Sequence, residues 1–579
     1  MTATEATPGT GRAWWRTLLL GWLAAFATFV CTAHGSLETA DSGFTLLAAR
    51  GLWQRGDSAL RAADDGALTI GEAAAAAYIR DGHGNGKVGV DGRPYVWFPM
   101  GHVFLLVPVA ALADSLPAAS AAADRALREA VAPGASEAQL ASQIAYVYGQ
   151  PALMQGLVAF AVPPLCGAAL FVLLLQIARA LGANGRDAAI AAVLLVFTTQ
   201  AFALGRESLS DGPGLAFLLG LLLVTVRVHT GVGGARPGEL VLGGVAAGCA
   251  VLLRYQAALL VLPCVVALAL ALHRRGQLRR LGWLVLGGLP FLGVMLSVDQ
   301  ARFGNPLDTG YPKYDDWFDA PIWVGLPKLL LGAGRGALWL SPILWLVLPL
   351  AATRRGLVLR WLGWVVFAIP MLMFAKARGW QGGQCWGARY VTPGIVVLAA
   401  IALPQLRPWR QWPRWTAALA LFGAFACLTS VVAPTRGYDQ LAGQAVAAAA
   451  DAELAAGRLS PEQRLRIDHA DVASWQPRYS ALLANWRYAF ASRVGGFEDA
   501  RGQPLDGSER TIEAVFGIVA RTPEQAWAPR QWADRRGRHL WWRYWGDLSG
   551  LAGGWLVAPF AALALAAWWA FARRIPRQR

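Results

Sequence analysis

Three short polar stretches of this 579-residue chain hold acids and cations at spacings that could handle a proton and an anion. The first is His34-Gly-Ser-Leu-Glu38-Thr-Ala-Asp41-Ser-Gly-Phe44. Asp41 and Glu38 compete there for acid–base work, since a carboxylate within reach of a hydroxyl can take its proton. Phe44, Leu47, Ala48 and Leu52 then form one helical face, so Asp41 equally reads as the amino-terminal cap of a short helix on the membrane surface. The second stretch is Arg206-Glu207-Ser-Leu-Ser-Asp211. Its two acids lie four apart and would share a helical face, as a site for a divalent cation or for substrate hydroxyls; alternatively, Arg206 closes their charge in a turn. The third is Lys376-Ala-Arg378-Gly-Trp380-Gln381-Gly-Gly-Gln384-Cys-Trp386-Gly-Ala-Arg389-Tyr390, with three cations and no acid. Arginine forks match phosphate oxygens and glycines let backbone donors approach, so this stretch suits an anionic group, or else anchors Trp and Arg at an interface.

Arg254, beside Tyr255 and Gln256, interrupts a long apolar run, and Gly334-Arg335-Gly336 precedes another. Either arginine can snorkel or join an anion site. Arg302 to Asp316 is a turn-rich loop containing Tyr311 and the pair Asp315-Asp316, read as surface because adjacent side chains diverge. Gly82-His-Gly-Asn-Gly-Lys87 lacks the strand and helix a phosphate loop requires and reads as a turn. His34 and His102 lie near the outer boundary and could be ligands, although unpaired histidines are more often structural, and the six cysteines show no metal or disulfide spacing.

The elements that must position these residues are apolar. Twelve stretches, 17–33, 151–178, 188–204, 212–226, 240–253, 255–272, 281–298, 336–352, 361–374, 391–404, 415–432 and 551–572, read as membrane spans, several shorter than the roughly 20 residues a bilayer asks for. With a cytoplasmic amino terminus, the inner segments hold 20 of the 52 cations but only Glu5, Asp187 and Glu239 among the 36 acids. The net charge of +16 is therefore a positive-inside signature, which excludes a nucleic-acid partner. Both termini fall on the cytoplasmic side, and the first span reads as an uncleaved anchor. Arginine far outnumbers lysine, as in GC-rich bacteria, which points to the inner (plasma) membrane. The segment 100–112 is apolar but short; as a full span it would invert every later loop, so it reads as interfacial or re-entrant. The fold class is all-α: a polytopic membrane protein of about 12 transmembrane helices, with interfacial helices in the first outer loop, about 34–150, and a small extracytoplasmic segment before the last helix. That segment, 433–550, contains Ala-rich helical stretches at 440–457 and 480–493 and could form a cap; 551–579 is the last helix and a basic tail.

An acid beside the membrane plane, a cationic glycine-rich loop and aromatic surroundings fit an enzyme acting on a lipid phosphate from the outer leaflet. Nucleotide sugars are cytoplasmic, so group transfer at this face needs a membrane-borne donor. The chain resembles the GT-C superfamily of integral-membrane glycosyltransferases, in the branch of protein mannosyltransferases and aminoarabinose transferases. The resemblance lies in the 41–57 stretch, in Tyr95-Val-Trp-Phe-Pro99-Met-Gly101, in Arg206 to Asp211, in Phe303 to Tyr311, in Gly334 to Pro342, and in Gly379 to Gly383 with Trp386 to Tyr390. It covers about 16–404 and implies a GT-C-like transmembrane catalytic domain over 1–432.

The resemblance implies a polyprenyl-phosphate-linked sugar donor, a lipid, glycan or protein acceptor, and inverting transfer of a hexosyl or pentosyl unit. Asp41 then looks like the general base; Arg378, Arg389 and Lys376 would hold the leaving phosphate; Glu207 and Asp211 match a second acidic position for sugar or metal, with Tyr311 and Arg254 as further substrate contacts. Where the family commonly pairs acids, Asp41 is followed by Ser42. No cofactor is called for, and a divalent cation is left open. A lipid-linked glycan polymerase or ligase is the nearest alternative, and a non-catalytic transporter or flippase the other; a transporter would show acids at mid-span and repeated halves, which this chain lacks.

Overall fold

Runs of Leu, Ala, Val and Gly with few charges leave their backbone groups one way to be satisfied in an apolar medium, which is the α-helix. All twelve apolar stretches fall on helices in the computed structural model, which describes residues 10–131, 151–232, 235–311, 318–351, 357–377, 379–380, 382, 385–465, 472, 475–494 and 538–575. The molecule is an all-α, multi-pass membrane protein. Among the described residues, eight helices are long and apolar enough to cross a bilayer, from Trp14–Thr32 to Gly553–Arg574. Two other stretches, Pro237–Leu253 and Thr392–Leu406, are shorter apolar helices. The remaining two are broken. Gly185–Phe197 stops where Thr198 and Thr199 turn their hydroxyls back to the carbonyls of Leu194 and Leu195, and Ala337–Leu340 stops at Ser341-Pro342.

Met100–Asp114 is a helix, and it meets the next helix at a bend of 93°. Pro117 opens that second helix. A bend of this size suits the re-entrant reading better than a straight span. The glycine-rich 82–87 stretch does turn, and it leads into a hairpin that sequence reading missed, Gly86–Val88 paired antiparallel with Pro94–Val96. All six cysteines are free.

Helix packing relies on small residues, because lipid offers no hydrophobic drive to bring helices together. Pro237–Leu253 lies so close to Leu281–Phe303 that a Cβ on Gly244 would stand 1.9 Å from the Leu284 carbonyl oxygen, and one on Gly287 would stand 2.1 Å from that of Val241. The first and last spans pack together, with Trp568 Nε1 donating to Thr28 Oγ1 at 3.0 Å.

Contacts between loops fall into two sets. Segments read as outer touch one another, as in Lys87–Asp308 at 2.6 Å, Asp41–Arg389 at 3.1 Å and the Gly35 amide donating to the His539 carbonyl at 3.0 Å. Segments read as inner do likewise, as in Asp187–Arg410 and Arg227–Glu239, both at 3.0 Å.

Candidate active site

Asp41 lies in the first turn of the helix Ala40–Arg55 but does not cap it. Thr39 does, in extended conformation, with its hydroxyl accepting from the Ser42 amide at 3.3 Å. The capping role expected of Asp41 therefore belongs to its neighbour two residues earlier, which leaves the Asp41 carboxylate available to other partners. Its side chain is 32% exposed, enough to meet a second molecule. Glu38 is otherwise engaged. It pairs with His34 Nδ1 at 2.9 Å; burial alone would push its pKa up, but His34, Arg206 and His539 together hold it below the ordinary carboxylate range.

Arg389 arrives from the glycine-rich loop. Gly382 (φ +81°) and Gly387 (φ +79°) take left-handed turns there that a side chain would strain. The guanidinium lies between two acids, Nη2 at 3.1 Å from Asp41 Oδ2 and Nη1 at 3.8 Å from Asp211 Oδ2. Asp211 also pairs with Arg254, whose Nη2 donates to Gln256 Oε1 at 2.7 Å. Both guanidinium groups sit over the ring of Tyr390, at 5.1 Å and 5.6 Å from its centroid, and that ring stacks on Phe374. Four charged groups, two of each sign, thus meet on one aromatic floor.

Glu207 and Asp211 do not share a face. The turn at 205–210 separates them: Asp211 opens the helix Asp211–Thr230, whereas Glu207 is buried and its Oε1 accepts the Trp386 amide at 2.6 Å. Nor does Arg206 close their charge. It is wholly buried and donates to the carbonyls of Thr32 and Ser430.

The structure places the other candidates unevenly. Tyr311 stacks on Trp97 with centroids 5.5 Å apart, near enough to Asp41, Arg254 and Arg389 to feel their charges. Lys376 is exposed, and its backbone carbonyl accepts from the Ala320 amide at 3.1 Å. Arg378 and the pair Asp315-Asp316 lie outside the described residues. Among the described residues, no three His, Cys, Asp or Glu side chains group as metal ligands would. Tyr390, as the floor beneath both arginines, was not singled out from sequence, because its distance from Arg254 along the chain hides the shared ring. His102, in the first turn of its helix, is buried within the electrostatic reach of Asp41 and Arg254. Its place beside Asp41 follows from packing between the helices Ala40–Arg55 and Met100–Asp114, which no local spacing shows.

A cavity opens beside these groups. Asp211, Arg254, Arg389 and Tyr390 line its polar end; Leu215, Leu218, Met373 and Phe374 line its apolar part, which reaches Leu259, 45% exposed on the outer surface of the helix bundle.

Residues 153–298 match the family of dolichyl-phosphate-mannose-protein mannosyltransferases. That match bears out the resemblance to the GT-C superfamily of glycosyltransferases. No curated protein matches the chain. Among solved structures, it is similar to ArnT from Cupriavidus metallidurans bound to undecaprenyl phosphate, at 14% identity and a TM-score of 0.42, covering 93% of this chain and 78% of that one. The same protein in the apo state matches at 14% identity and a TM-score of 0.41, over 95% and 78%.

Proposed function

We propose that this GT-C-type chain is an inverting glycosyltransferase that moves a hexosyl or pentosyl unit from a polyprenyl-phosphate donor to an acceptor hydroxyl at the extracytoplasmic face. One observation carries the reading: a cavity lined by two arginines, one of them paired with the part-exposed Asp41, also has an apolar lining that includes the exposed Leu259. A phosphate on a long isoprenoid tail has that polarity. The tail would lie along Leu215, Leu218 and Leu259, and the phosphate would meet Arg254 and Arg389. The match of residues 153–298 to dolichyl-phosphate-mannose-protein mannosyltransferases supports the same donor class.

In the resting arrangement two cations balance two acids. A donor phosphate brings negative charge and competes for the guanidinium groups, drawing Arg389 from Asp41 toward the phosphate oxygens. The freed Asp41 then accepts the proton of an acceptor hydroxyl while that oxygen attacks the anomeric carbon. The bond between the anomeric carbon and the phosphate oxygen breaks, its electron pair stays on the polyprenyl phosphate, and the growing charge is held by Arg254 and Arg389. Attack opposite the leaving phosphate inverts the anomeric centre. Tyr311 and Trp97 offer an aromatic wall for the sugar. Residues 1–432 would form the catalytic domain. The helices Thr435–Ala455 and Ala481–Val494, held by Ser480 donating to the Ala333 carbonyl and Asn485 to that of Thr429, would form a cap.

Comparing the glycans and lipid carriers of a deletion strain with those of its parent tests the reading. One sugar should vanish from an envelope glycan, lipid or protein, and its polyprenyl-phosphate form should accumulate. Unchanged glycans together with unchanged lipid carriers would refute it.

A further inference from the structure

Trp386 is held at two points, its amide by Glu207 Oε1 at 2.6 Å and its indole Nε1 by Thr429 Oγ1 at 3.0 Å. Three residues later the same turn delivers Arg389 to Asp41 and Asp211, so the register of Trp386 sets where the guanidinium lands. Glu207 is only 6% exposed and lines no part of the cavity. Its second oxygen, Oε2, is buried with no hydrogen-bond partner among the described residues. Among the described residues no cation pairs with it directly; Arg206 and Arg389 act on it from further off. Arg206, the adjacent guanidinium, spends Nε on Thr32 and Nη1 on Ser430, and its buried Nη2 meets no acceptor among the described residues. Arg389 is committed to Asp41 and Asp211, while Glu38 and Asp211 add negative charge nearby.

A buried carboxylate without a paired cation is costly, and the group escapes the cost by keeping its proton. We propose that Glu207 acts as a neutral carboxylic acid, a positioning residue that fixes the Trp386–Arg389 turn and aims Arg389 between the two acids. This replaces the substrate- or metal-contact role that its place in the sequence suggested, and it rests on the transferase reading only for its effect on turnover. The electrostatics agree in direction. Burial is the main cause and pushes the Glu207 carboxyl up to about 8; Glu38 and Asp211 push the same way, against the Trp386 amide and Arg389. The carboxyl is neutral below that value and charged above it, so ionisation on the alkaline side should place an anion between Glu38 and Asp211 and loosen the turn.

The test uses the full chain in lipid nanodiscs. An infrared difference spectrum, wild type minus Glu207→Gln, should show a protonated-carboxyl band at pH 7 that fades as the pH rises past about 8. This readout needs no activity. Turnover with a synthetic polyprenyl-phosphate sugar is measured in parallel. Glu207→Ala should lower kcat by about 10- to 100-fold, as a displaced catalytic group does. Glu207→Gln, whose amide oxygen can still accept from Trp386, should recover most of that loss. Wild-type kcat should fall as the pH rises through about 8, and Glu207→Gln should lack that fall. A missing band, a Gln variant as impaired as the Ala variant, or an alkaline fall that persists in the Gln variant would each overturn the proposal. Should the Ala variant not fold, the Gln profile and the band decide; should wild type transfer no sugar, the transferase reading fails and the band decides alone.

Discussion

Asp41 is an aspartate that local pattern assigned first to a cap and that the family resemblance assigned to a base. Thr39 resolves the ambiguity by taking the cap, leaving a third of the Asp41 side chain open beside Arg389. Asp41→Asn keeps the volume and removes the proton acceptor, so transfer should drop by about 10²- to 10⁴-fold while the protein still accumulates in membranes; full activity would remove Asp41 from the chemistry. Arg389→Ala should raise the donor KM, lower kcat, or both. Loss of folded protein without a kinetic change in what remains would make Arg389 a structural anchor instead. The acid and the arginine were each legible in the sequence, one from its place just after a span and the other from a loop rich in cations and glycine. The link between them was not, because 348 residues of chain separate the partners of that hydrogen bond. The face that Glu207 and Asp211 were expected to share fails for a related reason. A spacing of four implies a shared face only while the helix continues, and the turn at 205–210 breaks it.

The elements bring these side chains together through close backbone approach and through ties between distant segments. The residues before the Asp41 helix are held from the far end of the chain: the Trp541 amide donates to the Ala33 carbonyl at 3.0 Å, and its indole Nε1 to that of Val30 at 2.6 Å. Thr39→Ala should cost about 1 kcal/mol of stability through the lost cap, seen as a lower Tm. It should also lower kcat, because Asp41 would lose the helix start that orients it; an unchanged kcat would show that the cap and the base are independent. Gly287→Val should abolish monodisperse protein on size exclusion, since its Cβ would stand 2.1 Å from the Val241 carbonyl oxygen. Gly282→Ala, on the same helix with nothing within 4 Å, is the control and should behave as wild type. A folded Gly287→Val would show that the helix pair can separate at little cost. Apolar composition made all twelve stretches legible as helices, yet two of them break where Thr198-Thr199 and Ser341-Pro342 offer the backbone other partners. The hairpin near 86–96 escaped because three-residue strands leave too short a pattern to read.

At the scale of the molecule, charge asymmetry and contact pattern agree on a two-ended protein. Arginines with few acids gather in one set of loops, and contacts join loops within a set. Which end faces the periplasm-like side is a proposal that rests on the arginines alone. A cysteine at Asp64, exposed in the first outer loop, should react with a membrane-impermeant maleimide in intact cells, and one at Arg274 should not; the reverse pattern would invert the topology. The most direct measurement is sugar transfer in proteoliposomes holding the purified chain, a radiolabelled polyprenyl-phosphate sugar and an acceptor hydroxyl. Wild type should release free polyprenyl phosphate and form the inverted glycoside, and Asp41→Asn should do neither; equal transfer by both proteins would contradict the central claim.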